Sequence, residues 1–461
     1  MNKYFYVKKL YNYIIIVFCL LKYNDSLIIF PFKTTNTNTD SSYDFMSLLY
    51  SNQLFTNIRL DNKKIIHIVI SQEKVAFAIN ENSYNLKNSS NYNESTLPIP
   101  RSFPWEEIDK GILLKDIIFV DFKEIGNKER KEKSLTAKFI YIDNETYSYI
   151  GLKFPDLNEH SVISIFKNLK DNELIDNFQW CPIINKKNNN INYTSVEGEL
   201  IIGANCNDYL PNLFEKKYIS EFEMNTHGQY VEYSIVFQNV YLERQHDKND
   251  LYNKKIFFGI NFLTIGSIEY EQRIKNLFFN DWFDKNICFM KSMNKYPDFN
   301  YIYCNLNFDL KKEFNFNSFP KLCMEYLNST FCLDNNDLFI QDPKDNKIIY
   351  FMIIFKYDYV DDFSKSFHFG LQFLSKYQLS FDPKAHKIYY FGNKDDNKEK
   401  EEIEDNNNSS KLYIKIIVII VLAIILVILG MIIQKALTKN IRKNRANELD
   451  DNFLYEEKEE E

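Results

Sequence analysis

The sequence predicts an all-β protein with a few short helices and one C-terminal transmembrane helix. Short segments rich in Ile, Val, Phe and Tyr recur along most of the chain, and turns of Asn, Asp, Gly and Lys separate them. Helical patterns are confined to residues 158–174 and 268–279. Strands that outnumber helices at such short spacing indicate an all-β body. A long uncharged run near the C-terminus indicates the membrane span.

The first 26 residues have the pattern of a secretory signal peptide. Lys3, Lys8 and Lys9 form a basic start, and the apolar run from Tyr13 to Leu21 is too short to span a bilayer comfortably. A buried helix or a membrane anchor is the alternative interpretation of this run. Residues 27–47 follow, and we expect them to be a polar leader with little structure.

The predicted strands lie between residues 48 and 392. They are the segments LFTNIRL, KIIHIVI, VAFAI, DIIFVDF, AKFIYI, GELIIG, YVEYSIVF, IIYFMIIF and KYQLSF. Residues 393–411 are dense in charged side chains and predict a solvated stalk. The net charge of the whole chain is −7, which argues against a nucleic-acid partner.

Residues 412–433 form the predicted transmembrane helix. The stretch from Ile416 to Ile433 contains neither a charge nor a proline, and about 20 apolar residues span a hydrocarbon core. The basic residues that follow it are Lys435, Lys439, Arg442, Lys443 and Arg445. Because positive residues stay on the cytoplasmic side, we expect a single-pass type I membrane protein. Its ectodomain would be lumenal or extracellular, with a cytoplasmic tail over residues 434–461.

The cysteines of the expected ectodomain predict disulfides. They are Cys181, Cys206, Cys288, Cys304, Cys323 and Cys332. An even number in an oxidising compartment favours disulfides over metal binding, although the count does not fix the pairing. Cys323 and Cys332 flank one predicted hairpin, and Cys181 and Cys206 flank a second. There is no CxxC pair and no HExxH motif, so we expect neither a metal site nor a cofactor.

Sequons for N-glycosylation lie in the same expected compartment, and we expect modification at some of them. They are Asn88, Asn93, Asn144, Asn192, Asn328 and Asn408.

Six segments of the chain are similar to those of a known family: QLFTNIRL, DKGILLKDIIFV, YSYIGLKFPDL, GELIIGANCNDY, GQYVEYSIVFQNVYL and FHFGLQFLSKYQLSFDPKAHKIYYF. Their order resembles that in the pepsin-like aspartic endopeptidases, peptidase family A1. The matched positions are Gly111, Asp116, Gly151, Leu152, Gly370, Phe373, Leu374, Phe381 and Asp382. This resemblance implies a bilobal fold with an N-terminal lobe over 48–207, a C-terminal lobe over 208–392 and a peptide-binding cleft between them.

The resemblance fails at the catalytic positions. The second Asp-Thr-Gly loop of the family aligns with KKIFFGINFLTIGSIEY and places Phe258 at the aspartate position. The first aligns with residues 69–74, and its aspartate position is Val69 or Ile70. No Asp-Thr-Gly or Asp-Ser-Gly triplet occurs in the chain. The tyrosine of the family's flap aligns near Phe103, and Gly111 follows the flap.

These losses predict a protein without proteolytic activity. In the family, two close carboxylates share one proton, because both cannot ionise cheaply, and together they activate water. Isoleucine and phenylalanine cannot do this, whereas Gly151 and Gly370 retain the scaffold that supports the two loops. We therefore expect a non-catalytic ectodomain that binds a peptide or a protein in its cleft. The alternatives are an active endopeptidase with unconventional or misaligned catalytic residues, and a structural glycoprotein without a cleft ligand.

Overall fold

The computed structural model describes most of the body of the chain. The described residues are 26–35, 44–60, 64–84, 111–125, 129–142, 147–155, 163–185, 196–211, 220–227, 230–243, 251–306, 319–327, 329–356 and 365–392. Residues 1–25 of the expected signal peptide, the stalk, the transmembrane helix and the tail lie outside them, whereas Ser26 is already part of the first strand. None of the helices in the described ranges has the length and apolarity that crossing a bilayer requires.

Strands make up most of the described structure. The strands up to the middle of the chain are β1 (Ser26–Thr35), β2 (Gln53–Leu60), β3 (Ile65–Ser71), β4 (Phe77–Asn80), β5 (Gly111–Glu124), β6 (Lys131–Ile142), β7 (Ser148–Gly151), β8 (Phe154–Pro155), β9 (Trp180–Ile184), β10 (Glu197–Ile202), β11 (Ser220–Glu223), β12 (Asn225–His227) and β13 (Tyr230–Glu232). The later strands are β14 (Ser234–Leu242), β15 (Leu251–Phe258), β16 (Thr264–Gly266), β17 (Cys288–Ser292), β18 (Phe299–Asn305), β19 (Leu322–Tyr326), β20 (Ser329–Leu333), β21 (Phe339–Gln341), β22 (Ile348–Phe351), β23 (Ile353–Lys356), β24 (Phe367–Phe369), β25 (Ser380–Asp382) and β26 (Lys387–Tyr390).

The helices are short and lie between the strands. They are α1 (Phe45–Ser51), α2 (Ile165–Asp171), α3 (Cys206–Tyr209), α4 (Ile268–Ile274), α5 (Asn280–Asp284), α6 (Asn335–Leu338) and α7 (Leu371–Tyr377). A π-helical turn, Lys275–Phe279, joins α4 to α5. The helical patterns predicted at 158–174 and 268–279 are thus confirmed, with α2 shorter than its pattern.

The first large sheet closes partly on itself. Its order is β11-β26-β25-β9-β10-β1-β2-β3-β7-β4-β6-β5, and β5 also pairs with β1 and β2. The path β1-β2-β3-β7-β4-β6-β5 therefore closes into a barrel. The strands β10, β9, β25, β26 and β11 extend the sheet from the other edge of β1. The last strands of the described chain, β25 and β26, belong to this first sheet.

The second large sheet is built from the later part of the chain. Its order is β20-β19-β14-β15-β24-β16-β23-β18-β22-β21, and β17 pairs with β18 outside this path. A small sheet of β12, β13 and β8 lies apart from both. The all-β class predicted from the sequence is confirmed by these sheets.

Alternation of apolar and polar side chains explains how the first sheet buries its core. In the β5–β6 hairpin, Leu114 and Ile118 of β5 are buried, as are Leu135 and Ala137 of β6. Thr136, which lies between the two buried residues of β6, and Lys138, which follows them, are exposed. A strand places successive side chains on opposite faces, so this alternation puts one face of the hairpin against the core.

Aromatic residues from distant parts of the chain pack together inside the main core. Trp180 of β9 stacks on Phe381 of β25 with ring centroids 4.2 Å apart. Tyr233, which immediately precedes β14 of the second sheet, packs edge-on against Trp180 at 5.2 Å. The Tyr233 hydroxyl donates to the carbonyl oxygen of Leu152. These contacts join the beginning of the second sheet to the first sheet.

The expectation of a leader with little structure over 27–47 is wrong for much of its length. Residues 26–35 form β1, which pairs with β10, β2 and β5, and its Leu27 and Ile28 are fully buried. Residues 45–51 form α1, whose Met46 and Leu49 are also fully buried. Pairing with strands that lie far away in the sequence decides the structure of β1, and its local composition does not reveal this. The first sheet therefore begins at Ser26.

One strand prediction near the C-terminus is also wrong in part. The segment KYQLSF was predicted to be a strand, but Lys376 and Tyr377 end helix α7, and only Ser380–Asp382 is extended. The helix ends at Gln378, whose φ of 47° is left-handed. Such a residue closes the last helical turn and redirects the chain into β25.

Three disulfides are present, as the even cysteine number predicts. They are Cys181–Cys206, Cys288–Cys304 and Cys323–Cys332. The first links β9 to the start of α3, the second crosses the β17–β18 pair, and the third crosses the β19–β20 hairpin. The hairpin bridge expected from Cys323 to Cys332 and the pairing suggested by Cys181 and Cys206 are both confirmed.

Candidate functional site

Each large sheet contains a strand that runs parallel to a short partner and then turns into a loop. In the first sheet β3 pairs in parallel with β7, and Ile70 lies opposite Ile150. In the second sheet β15 pairs in parallel with β24, and Phe258 lies opposite Phe369. Ile70 and Phe258 therefore occupy equivalent positions near the ends of their strands. We call residues 72–75 the first loop and residues 259–263 the second loop.

A glycine at the end of one partner strand and directly after the other lets each loop pass close to the sheet. A Cβ at Gly151 would overlap the carbonyl oxygen of Lys74 in the first loop. A Cβ at Gly370 would overlap the carbonyl oxygen of Asn261 in the second loop. The obstacle is backbone in both cases, so no side-chain movement could relieve it. The glycines predicted to be scaffold residues thus lie beneath the two loops.

The two loops are joined by one hydrogen bond. The backbone N–H of Ile260 donates to Oε1 of Gln72 at 2.8 Å. These residues are 188 positions apart in the chain, and the two loops follow strands of different sheets. The side chain of Gln72 therefore fixes the distance between the first loop and the second loop.

A groove of about 640 Å³ lies above this contact. Its floor is apolar: Ile70 and Phe258 line it, and each is only 3% exposed. Phe258 packs against Phe373 at 5.2 Å and Phe237 at 6.4 Å between ring centroids. Val69, the other possible equivalent of the first aspartate, is buried at 6% exposure. Both sequence alignments of the first loop therefore place an apolar, buried side chain at that position.

The carboxylates that line the described part of the groove are those of Glu73 and Glu232. Glu232 forms an ion pair with Lys255. Within the described residues no hydrogen bond joins the two carboxylates. A general acid–base pair of the kind that shares one proton needs two carboxyl groups in contact. The groove floor instead offers hydrocarbon and one glutamine side chain.

The wall of the groove beside the first loop is aromatic and acidic. Tyr50 at the end of α1 packs edge-on against Tyr296, with ring centroids 4.7 Å apart and planes at 67°. Burial raises the pKa of Tyr50 to about 12, and the nearby Glu73 carboxylate adds to this shift. The Tyr50 hydroxyl therefore stays protonated at physiological pH.

Another wall carries the imidazole of His368 on the ring of Phe257, and the lysine that lines the described groove is Lys153. His368 stacks on Phe257 with ring centroids 4.5 Å apart and planes at 8°. The Lys255 ammonium lies 4.7 Å from the centroid of the same Phe257 ring. The Ser366 Oγ lies 3.1 Å from Nε2 of His368. This wall is therefore already held together by contacts within the protein.

Other predicted site residues fall away from the groove centre or outside the described ranges. Gly111 is the first residue of β5. The matched Asp116 lies within the same strand and is buried, and it accepts a hydrogen bond from the Tyr84 hydroxyl. Phe103 lies outside the described residues. The asparagines of the sequons also lie outside them: Asn88, Asn93, Asn144, Asn192, Asn328 and Asn408.

The sequence analysis missed Gln72, Glu73 and Tyr50. The signal for the first two is the polar stretch SQEK, which interrupts two apolar strands at the point where the family places its first catalytic loop. Tyr50 was missed because the sequence analysis did not predict the helix Phe45–Ser51, which places Tyr50 at the groove.

No family model matches the chain, and no curated protein matches it. In the described part of the chain, no group of three or more His, Cys, Asp or Glu side chains is arranged to hold a metal ion.

Proposed function

We propose that this chain is a catalytically inactive relative of the pepsin-like endopeptidases whose groove binds an extended peptide segment of a partner protein. The order of matched sequence segments supports the family. The two equivalent strand–loop units, each with a glycine beneath its loop, support the bilobal arrangement that the family would have. In this proposal the first and second sheets are the bodies of the two lobes, and the groove is the cleft between them.

The observation that carries the proposal is the apolar floor. Ile70 and Phe258 occupy the equivalent positions where the resemblance expects the catalytic aspartates, and both are buried. Neither side chain can take up or release a proton. Loss of a general acid–base group costs about 10²–10⁴-fold in rate, and loss of both removes the means of activating water. A groove with this floor can hold a peptide but has no group to cleave it.

We propose further that the ectodomain is anchored to a membrane by residues 412–433 and carries N-linked glycans and three disulfides. The disulfides support an oxidising compartment, since such bonds are rare where thiols are kept reduced. A membrane-bound ectodomain with a cleft is suited to capturing a segment of a soluble or neighbouring protein.

The alternative function is an active aspartic endopeptidase with unconventional catalytic residues. Glu73 is the observation that favours it, because this carboxylate lies in the first loop and lines the groove. The described groove offers it no second carboxylate as a partner, since Glu232 is neutralised by Lys255. We therefore give preference to the binding function.

Two measurements on the purified full chain in detergent micelles test the proposal. The first is cleavage of a denatured protein at acid and neutral pH, with and without a transition-state-mimic inhibitor of aspartic peptidases. We expect no inhibitor-sensitive cleavage. The second is binding of fluorescent peptide pools by anisotropy, and we expect saturable binding. Inhibitor-sensitive turnover would establish the alternative, and the absence of any peptide binding would remove the proposed function.

A further inference from the structure

We propose that the groove selects a peptide with a basic side chain, which binds at a subsite formed by Glu73, Tyr50 and Tyr296. We call these three residues the cation subsite. This inference rests on the proposed peptide-binding function and adds to it the chemical class of the ligand.

The ring geometry of the cation subsite suits a cation. Tyr50 and Tyr296 are nearly perpendicular, with ring centroids 4.7 Å apart. Both rings are partly exposed and line the groove. The two rings thus give the groove an aromatic surface, and an ammonium or guanidinium group is attracted to an aromatic face within about 6 Å.

The carboxylate of Glu73 supplies the complementary charge. It is exposed at the groove and close enough to Tyr50 to help raise the pKa of its hydroxyl, after burial, which is the larger cause. In the described part of the chain no ion pair involves Glu73. A basic side chain that entered the groove would therefore meet a carboxylate that does not have to exchange one partner for another.

The remaining carboxylate of the groove is already satisfied, which singles out Glu73. Glu232 pairs with Lys255, and that lysine also lies over the Phe257 ring. A basic side chain near Glu232 would meet Lys255 and be repelled by it. Of the two groove carboxylates, Glu73 is therefore the one that a basic side chain meets without an existing ion pair in the described part of the chain.

The cation subsite is held in shape before any ligand binds. The backbone N–H of Asn294 donates to Oδ2 of Asp44 at 2.8 Å, and the N–H of Lys295 donates to Oγ of Ser47 at 3.4 Å. These bonds fix α1 against the turn that carries Tyr296. Tyr50 also packs on Phe299 at 4.9 Å. A preformed site loses little conformational freedom on binding, so its contacts contribute to affinity.

The expected selectivity is about tenfold. A cation over an aromatic ring at a partly exposed site contributes a modest attraction, and an exposed ion pair adds a comparable amount. Together they correspond to about one order of magnitude in the dissociation constant. Because part of the attraction is an exposed ion pair, the selectivity should fall as salt is added.

The test uses two fluorescein-labelled pools of short peptides of otherwise random neutral sequence. One pool has a single lysine and the other has norleucine at the same position. Binding to the full chain in uncharged detergent micelles is followed by anisotropy. We expect the lysine pool to bind about tenfold more tightly. We expect Glu73→Gln to remove most of this preference and Tyr296→Leu to reduce it.

The matched control is Asp298→Asn, which removes an exposed carboxylate from the same turn as Tyr296 but outside the groove lining. It should leave the lysine preference unchanged. Equal binding of the two pools, or a preference that survives Glu73→Gln, would overturn the cation subsite while leaving peptide binding intact. If neither pool binds, both the proposed function and this inference are overturned. Unchanged unfolding midpoints of the variants confirm that an altered preference does not come from loss of the fold.

Discussion

Replacement of Phe258 by aspartate would return a carboxyl group to a position where the resemblance expects one. We expect this Phe258→Asp variant to lose stability without gaining activity. Phe258 is 3% exposed and is surrounded by apolar side chains, including Phe373 and Phe237. A carboxyl group there has lost its water and has no charged partner in the described surroundings.

The expected magnitude follows from the burial. Truncation of a buried phenylalanine costs about 3–5 kcal/mol of unfolding free energy. A buried polar group without a hydrogen-bond partner costs about 1–3 kcal/mol more. The total of about 4–8 kcal/mol is a large part of the about 5–15 kcal/mol by which a folded domain is usually stable. Phe258→Leu keeps an apolar side chain of similar volume and should cost only about 1 kcal/mol.

Urea denaturation followed by tryptophan fluorescence measures these differences, since Trp180 is fully buried in the main core. Val236→Asp is the matched control, because it introduces the same carboxylate on the neighbouring strand β14 at a position that is 43% exposed. It should change stability by no more than about 0.5 kcal/mol. If Phe258→Asp unfolds at the same urea concentration as Phe258→Leu, the floor is not the apolar core that we describe.

Three further substitutions, one of them with a matched control, test the scaffold by the same unfolding measurement. Gly370→Ala places a methyl group against backbone and should cost about 1–3 kcal/mol, whereas Gly259→Ala meets only ordinary contacts and the end of a side chain and should cost less. Gln72→Ala leaves a backbone N–H across the groove without its acceptor and should cost about 1–3 kcal/mol. Lys376→Met removes the ion pairs with Asp334 and Asp337 and should lower stability at neutral pH. Burial acts to raise the pKa of both carboxyl groups; the pKa of Asp337 stays above its usual value, whereas the lysine holds the pKa of Asp334 below its usual value. The loss of stability should therefore shrink as pH falls, first through the raised pKa of Asp337 and then through the lowered pKa of Asp334.

Local periodicity predicts most strands of this fold, because a strand buried on one or both faces requires apolar side chains at fixed positions. The same reasoning fails at β1, whose structure depends on pairing with β10, β2 and β5 from other parts of the chain. It also fails at α7, where aromatic residues of high strand propensity lie in a helix. Tertiary packing overrides propensity in both places.

The candidate site is predictable only in part, for a related reason. The absence of catalytic aspartates can be read from the sequence once the family resemblance locates the two loops. The hydrogen bond from Ile260 to Gln72 cannot be predicted from the sequence, because it joins loops that follow strands of different sheets and depends on the positions of both loops. The contact between Tyr50 and Tyr296 likewise requires α1 to lie against the second sheet, whereas the sequence suggested a leader there.

The floor of the groove contributes mainly to the stability of the fold, whereas the wall that carries Glu73 contributes mainly to ligand binding. The loops are held by glycines beneath them, by parallel strand pairing and by Gln72, none of which needs a carboxylate at positions 70 or 258. Burying apolar side chains there contributes about 1.5–3 kcal/mol each. The exposed carboxylate of Glu73 contributes little to stability by comparison, yet it is the charge available to a ligand. Changes in the floor should therefore shift the unfolding midpoint and leave ligand preference alone, whereas Glu73→Gln should do the reverse.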